Sequence, residues 1–244
     1  MKAIFNREFN AYFKTPLGYI FVGLFFAFCA LMFFNFNMNA NTSIMTNYFT
    51  NICYVFIVIV PLLTMKMFSE ERKLKTDQLL LTAPVKVTDI VLGKFLSGLL
   101  VLGISVAATL VFLIVLAIYG NPPVIQSLVG YFGIMLYGAM LIAIGMFVST
   151  LTQNQVISAV VTMAIVAVLS LFSAINFDFT TALGGKLVFL GRFLNGAVNF
   201  IDINARFYDF AQGILNVVPI VYYVSITALF VLLTVRVIER RRWR

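Results

Sequence analysis

Histidine is absent from this sequence of 244 residues, and cysteine occurs only twice. Without histidine the chain cannot form a histidine-based catalytic triad, a histidine metal site or a histidine proton relay. Two isolated cysteines, Cys29 and Cys53, are too few for a zinc or iron–sulfur site. The sequence "GGKL" at residues 184–187 lacks the first glycine and the hydroxyl residue of a phosphate-binding loop, so no ATP site and no cofactor are predicted for this chain.

Charge is also scarce. Charged residues make up 11% of the chain and hydrophobic residues 62%, whereas a soluble domain carries about 25% charged residues. Residues 15–65 and 95–177 contain no Asp, Glu, Lys or Arg. Each uncharged stretch is longer than the roughly 20 apolar residues that a membrane-spanning helix needs. The sequence therefore predicts an all-α integral membrane protein that forms a single transmembrane domain over residues 1–244.

Turn and polar signals divide the apolar stretches into six predicted spans, at about residues 17–36, 48–67, 95–119, 127–151, 156–175 and 217–235. The breaks are the polar "NFNMNANTS", the helix-breaking "GNPP" and the short turn "TQNQ". An ordinary polar turn is favoured for the asparagine-rich break, and the lining of an outer vestibule is the alternative. None of the spans holds Asp or Glu, so coupling to an ion gradient through a buried carboxylate is not expected.

The basic residues predict the orientation. With six spans, fourteen of the 17 lysines and arginines fall on the side that holds both termini, residues 69–85 and the "TQNQ" turn. The positive-inside rule makes that side cytoplasmic. Residues 187–201 are too short for a seventh span and contain Arg192, so an external amphipathic segment is predicted there. No basic, aromatic-interleaved domain exists, and we expect no nucleic-acid partner.

Residues 69–85, "SEERKLKTDQLLLTAPV", form a charged island between the second and third spans. Glu70 and Glu71 suit the first turn of a helix that begins near Ser69 and stops at Pro84. A second helix is predicted to follow, with Thr88 as its N-cap and Lys94 at the lipid boundary. A solvated loop that merely obeys the positive-inside rule is the alternative. The candidate residues for contact with a soluble partner are Glu70, Glu71, Arg72, Lys75, Thr76, Asp77, Leu79 and Leu80.

Residues 2–14 predict an amphipathic helix that lies flat on the inner leaflet. Phe5, Phe9 and Phe13 share one face with Tyr12, and the polar residues, among them Arg7, lie opposite. An elbow that also contacts a soluble partner is favoured, and an ordinary juxtamembrane anchor is the alternative. Phe5, Arg7, Phe9 and Phe13 are the candidate residues of this element.

The island and its surroundings, "FSEERKLKTDQLLLTAPVKVTDIVLGKF", resemble the loop after the second span of ABC-2-type permeases, the membrane subunits of ABC exporters. The matching positions are Glu70, Glu71, Arg72, Thr76, Leu79, Leu80, Pro84, Gly93 and Lys94. Asp77 stands where glutamate is commoner in the family. "REFNAYFKTPLGYIF" is similar to the family's N-terminal elbow helix, and the last span region is similar to the gliding-motility branch, which often has Arg-Gly where this chain has Ala211-Gln212-Gly213.

The resemblance implies a bacterial, multi-pass protein of the inner (cytoplasmic) membrane that lacks its own ATPase site. The chain would couple ATP hydrolysis by a separate ABC ATPase to export of an amphiphilic substrate. The implied partners are two copies of the ATPase, which bind ATP and Mg, and a second permease copy or a paralogue, within the lipid bilayer. An accessory extracytoplasmic subunit is a further candidate partner. The charged island would be the coupling helix. A membrane scaffold that does not transport and an intramembrane enzyme are the alternatives.

Overall fold

The computed structural model of the chain describes residues 2–76, 85–174 and 202–242. Over these ranges the fold is helical, without a β-strand. The helices are α1 (Lys2–Lys14), α2 (Pro16–Phe33), α3 (Thr46–Thr64), α4 (Ser69–Lys73), α5 (Val87–Tyr119), α6 (Val124–Leu151), α7 (Gln155–Ala174), α8 (Ile203–Ala211) and α9 (Val217–Arg242). A π-helical turn, Phe34–Met38, extends α2.

Five helical stretches are long and apolar enough to cross a membrane: Pro16–Met38, Thr46–Lys73, Val87–Tyr119, Val124–Leu151 and Val217–Arg241. The predicted span at residues 156–175 corresponds to α7, whose described apolar part, Gln155–Ser170, is shorter. The prediction of a multi-pass helical membrane protein is therefore confirmed. The crossing by α7, and with it the number of six spans, stays a prediction.

The structure has helix breaks at the positions that the sequence predicted. α5 ends at Tyr119 before "GNPP", and "TQNQ" separates the end of α6 at Leu151 from the start of α7. α6 begins at Val124, three residues before the predicted boundary. The asparagine-rich break is a turn in which the buried Asn37 amide donates to the carbonyl oxygens of Thr42 and Ile44, each at 3.1 Å.

α6 is the central helix of the bundle and contacts α3, α5, α7, α8 and α9. Two of its glycines make these contacts possible. A β-carbon at Gly133 would lie 2.5 Å from the β-carbon of Phe210 on α8, and one at Gly145 would overlap Thr64 on α3. The glycines that the sequence clusters in this span are therefore used for close helix packing within the chain.

Apart from Arg206, the lysines and arginines of the described residues lie in or next to elements that meet at one end of the bundle. α1, α4, the start of α5 and the ends of α6 and α9 meet at one end, which we call the basic end. Contacts of Arg7 with Glu71, of Lys94 with Glu8, and of Arg72 and Arg241 with the carbonyl of Thr150 define it. At the opposite end, which we call the far end, the start of α6 faces Gly213 and the end of α5 faces Ser43.

α8 packs inside the bundle. Asp202 caps its N-terminus, because its Oδ1 accepts hydrogen bonds from the amides two and three residues later, at 3.0 and 2.9 Å. The Tyr137 hydroxyl donates to Asn204 Oδ1 at 3.0 Å. Tyr137 is near the middle of α6, so α8 begins about halfway along the bundle and returns toward the far end. The external segment predicted at residues 187–201 lies outside the described residues.

The charged island contains a shorter helix than predicted. α4 ends at Lys73 in a Schellman motif, in which the Lys75 amide donates to the Arg72 carbonyl at 3.2 Å and the Thr76 amide to the Glu71 carbonyl at 2.9 Å. Lys75 takes the left-handed position of this motif, with φ of 57°. The prediction of one helix from Ser69 to Pro84 is therefore wrong, because the helix ends at Lys73 and the backbone is left-handed at Lys75. Residues 77–84 lie outside the described ranges.

The start of the next helix also differs, by two residues. α5 begins at Val87, and Lys86 is its extended N-cap residue, without a hydrogen bond from its own side chain. The prediction that Thr88 caps this helix is wrong, since Thr88 already lies in the first turn. Helical geometry extends through Lys94 without interruption, which places that lysine inside α5.

Candidate functional site

Lys94 is the most enclosed charged residue of the basic end. Only 2% of its surface is exposed, although the sequence predicted it at the lipid boundary. Its Nζ lies 3.0 Å from Glu8 Oε2 on α1 and 2.9 Å from Glu71 Oε1 on α4. The ring of Phe68 lies 5.1 Å from the same ammonium. Because a buried ammonium needs partners, the two carboxylates explain why lysine is tolerated at this depth.

Arg7 completes the site and brings its charge to zero. Arg7 Nη2 lies 2.6 Å from Glu8 Oε1 and 3.2 Å from Glu71 Oε1. We call Arg7, Glu8, Glu71 and Lys94 the Lys94 cluster: two cations and two anions from α1, α4 and α5. Burial opposes ionisation of Glu8, but the attraction of Lys94 and Arg7 is larger in total and lowers the pKa of Glu8. Glu8 is therefore held as a carboxylate.

The N-terminus of α4 rests on the end of α6. Ser149 Oγ accepts hydrogen bonds from the backbone amides of Phe68, at 3.0 Å, and Ser69, at 3.1 Å. Arg72 Nη1 donates to the Thr150 carbonyl at 2.9 Å, and Arg241 of α9 donates to the same oxygen. Phe68 is the N-cap residue of α4 and has no capping side chain of its own. Because the amides at the start of a helix lack partners within it, Ser149 of α6 supplies the acceptor.

The candidate residues of the island divide into two groups. The Glu71 side chain is only 18% exposed and belongs to the Lys94 cluster, and Arg72 points to α6. Glu70 is 41% exposed and lies 4.0 Å from Lys66. Three predicted candidates, Asp77, Leu79 and Leu80, lie outside the described residues.

An exposed tip follows α4. Lys73, Leu74, Lys75 and Thr76 are all exposed, and Leu74 has 64% of its surface free. A single exposed leucine is common on protein surfaces, so Leu74 matters here only together with the charged residues around it. We call Glu70 together with residues 73–76 the island tip.

The elbow candidates form one aromatic row on α1. The rings of Phe5 and Phe9 are 6.1 Å apart and those of Phe9 and Phe13 are 5.1 Å apart. All three are half-buried, while Tyr12 is buried and its hydroxyl donates to the Leu63 carbonyl at 3.3 Å. The predicted amphipathic helix is present. Its polar face differs from expectation in one respect, because Arg7 bonds to Glu8 and Glu71 as well as facing solvent.

Sequence reasoning missed Glu8, Ser149 and Thr150 as parts of this site. Ser149 and Thr150 carry no signal in the sequence, since serine and threonine are common at helix ends. Glu8 does carry one, because it is the only acidic residue before Glu70. A single carboxylate on a basic amphipathic helix indicates a specific cation partner. Among the described residues, no group of three or more His, Cys, Asp or Glu side chains is placed to hold a metal ion.

Comparison with known proteins identifies the family of the chain. Residues 3–242 match the family model described as "ABC-2 family transporter protein". No curated protein and no solved structure matches the chain. The family match covers nearly the whole chain, including both ends and the charged island, and proteins of this family are the membrane subunits of transporters that generally pair with an ABC ATPase. The chain therefore belongs to the ABC-2 family of transporter membrane proteins.

Proposed function

We propose that the chain is the permease subunit of an ATP-driven ABC exporter. A separate ATPase subunit binds ATP and Mg and hydrolyses the nucleotide. The permease converts the movement of that subunit into export of an amphiphilic substrate. Two permease copies, or this chain and a paralogue, would join two ATPase copies in the cytoplasmic membrane of a bacterium. We also propose that the chain belongs to the gliding-motility branch of the family.

The observation that carries the proposal is the arrangement of the basic end. α1 and α4 project side chains to solvent there, and α4 is bonded to both α5 and α6 through the Lys94 cluster and Ser149. A partner that pushed on the island tip would therefore act directly on two long apolar helices. The island tip combines Glu70, two lysines and the exposed Leu74, a mixture that suits a partner surface with complementary charges around an apolar hollow.

The test is co-purification of the tagged chain from its own cells, followed by ATPase assay. We expect a P-loop ATPase to co-purify, and hydrolysis to appear with the complex and be inhibited by vanadate. The chain purified alone should neither bind nor hydrolyse ATP. ATP turnover by the isolated polypeptide, or recovery of the chain without any ATPase under mild extraction, would contradict the proposal. The second outcome would favour a membrane scaffold.

A further inference from the structure

We propose that the Lys94 cluster fastens α1, α4 and the start of α5 into one rigid body, so that movement of α4 is transmitted into the long apolar helix α5. This inference rests on the proposed function. It makes Lys94 and Glu8 positioning residues: they act by holding Glu71 and α4 and need not touch the ATPase or the substrate.

The first argument is the burial of Lys94. Its side chain is only 2% exposed, and its ionic partners are a carboxylate on α1 and a carboxylate on α4. If α4 moved away from α5, Lys94 would keep only Glu8, and if α1 moved away, it would keep only Glu71. Either separation leaves a buried charge with incomplete compensation, which is strongly unfavourable. The three elements are therefore expected to move together.

The second argument is the sharing of Glu71. Its Oε1 accepts from both Lys94 Nζ, at 2.9 Å, and Arg7 Nη2, at 3.2 Å. α4 is thus bonded to α5 and to α1 through the same carboxylate oxygen. Hydrogen bonds between ionised groups are about twice as strong as neutral ones. A helix of five residues, Ser69–Lys73, has little stability of its own. These bonds, together with those of α4 to Ser149 and Thr150 on α6, therefore determine where it lies.

The third argument is the fit of α1 against α5. A β-carbon at Gly93 would lie 3.0 Å from the Ile4 side chain, so the two helices are in close contact one residue before Lys94. Apolar packing and the ion cluster therefore join the same pair of helices. The elbow helix is then part of the element that transmits movement as well as an amphipathic anchor.

The first experiment separates transmission from stability. Lys94→Met removes the buried cation and leaves Glu8 and Glu71 without it. The triple variant Lys94→Met, Glu8→Gln, Glu71→Gln removes the whole buried charge set and leaves Arg7, whose side chain is 52% exposed, in contact with water. Each variant is purified with the ATPase that co-purifies with the wild type, and thermal stability, ATPase capture and ATP hydrolysis are measured.

We expect Lys94→Met to lose thermal stability and permease-dependent hydrolysis. The triple variant should regain stability, because no unpaired buried charge remains, and should still capture the ATPase. Its hydrolysis should stay at least about tenfold below wild type, the factor that corresponds to about 1.4 kcal/mol. Wild-type hydrolysis by either variant would overturn the inference. If the wild type itself captured no ATPase, the proposed function would fail first, and the inference with it.

The second experiment measures the rigid body directly and does not depend on a destabilised variant. Spin labels are placed at exposed positions on two elements, Asn10→Cys on α1 and Thr88→Cys on α5, both outside the island tip, while the native Cys29 and Cys53 are buried. The label distance in the full complex should be the same without nucleotide and after trapping with ATP and vanadate. A change of more than about 2 Å, the scale of helix shifts in switching proteins, would show that α1 and α5 move separately and would overturn the inference.

Discussion

Glu70 and Glu71 are adjacent in sequence and chemically identical, yet the structure gives them different environments. Glu71 is 18% exposed and lies 2.9 Å from Lys94 Nζ, whereas Glu70 is 41% exposed and lies 4.0 Å from Lys66. Replacing each glutamate with glutamine therefore makes the same chemical change in two different environments. We expect Glu71→Gln to reduce the stability of the permease, and Glu70→Gln to leave stability nearly unchanged.

The magnitudes follow from the contacts. Loss of a hydrogen bond to a charged group costs about 1.5–3 kcal/mol. Glu71→Gln should lie in that range and below the roughly 3–5 kcal/mol of a fully broken buried pair, because Glu8 still binds Lys94 at 3.0 Å. An exposed ion pair is worth about 0–1 kcal/mol, which limits the effect of Glu70→Gln on the free energy of unfolding.

The assay has two readouts for each variant. The free energy of unfolding is measured by SDS titration in mixed micelles, and ATPase capture is measured by pull-down at equal membrane levels. Glu70→Lys, which reverses a charge of the island tip, should weaken capture while stability stays near wild type. If Glu70→Gln and Glu71→Gln destabilised the protein equally, the different environments of the two carboxylates would be refuted. If Glu70→Lys captured the ATPase as well as wild type does, the island tip would not be the docking surface.

Three further predictions follow from other contacts. Ser149→Ala should cost about 1 kcal/mol of stability, the usual effect of losing a helix cap, and Ser149→Thr, which keeps the hydroxyl, should be milder in the same SDS titration. Gly133→Ala should lower the free energy of unfolding by about 1–3 kcal/mol, because the added methyl group overpacks against Phe210. Recovery of stability in a double variant with Phe210→Leu would confirm the contact, whereas unchanged stability of Gly133→Ala would contradict it. In intact cells an impermeant thiol reagent should label Leu215→Cys at the exposed far end and leave Ala3→Cys unlabelled, and labelling of Ala3→Cys from outside would refute the orientation.

The membrane class and the main helix boundaries could be predicted because both depend on local composition. A stretch without charge over residues 95–177 has to lie in lipid or in the protein interior, and "GNPP" and "TQNQ" interrupt helices wherever they occur. The amphipathic row of Phe5, Phe9 and Phe13 is likewise readable from a period of 3.6 residues. The resemblance of the charged island to a transporter family could also be recognised, because the residues that carry it are contiguous in the sequence.

The structure alone decided how the basic end is connected. Glu8 and Lys94 are 86 residues apart, and Glu71 lies between them in sequence, so no local pattern relates the three. Lys94 resembles a snorkelling lysine at the start of a span, and only the tertiary structure encloses it between two carboxylates. The cap of α4 comes from Ser149, about 80 residues away, and α8 enters the bundle because Gly133 leaves room for Phe210. Hydrophobicity and turn chemistry determine which segments are helices, whereas side-chain shape and the pairing of buried charges determine which helices hold each other.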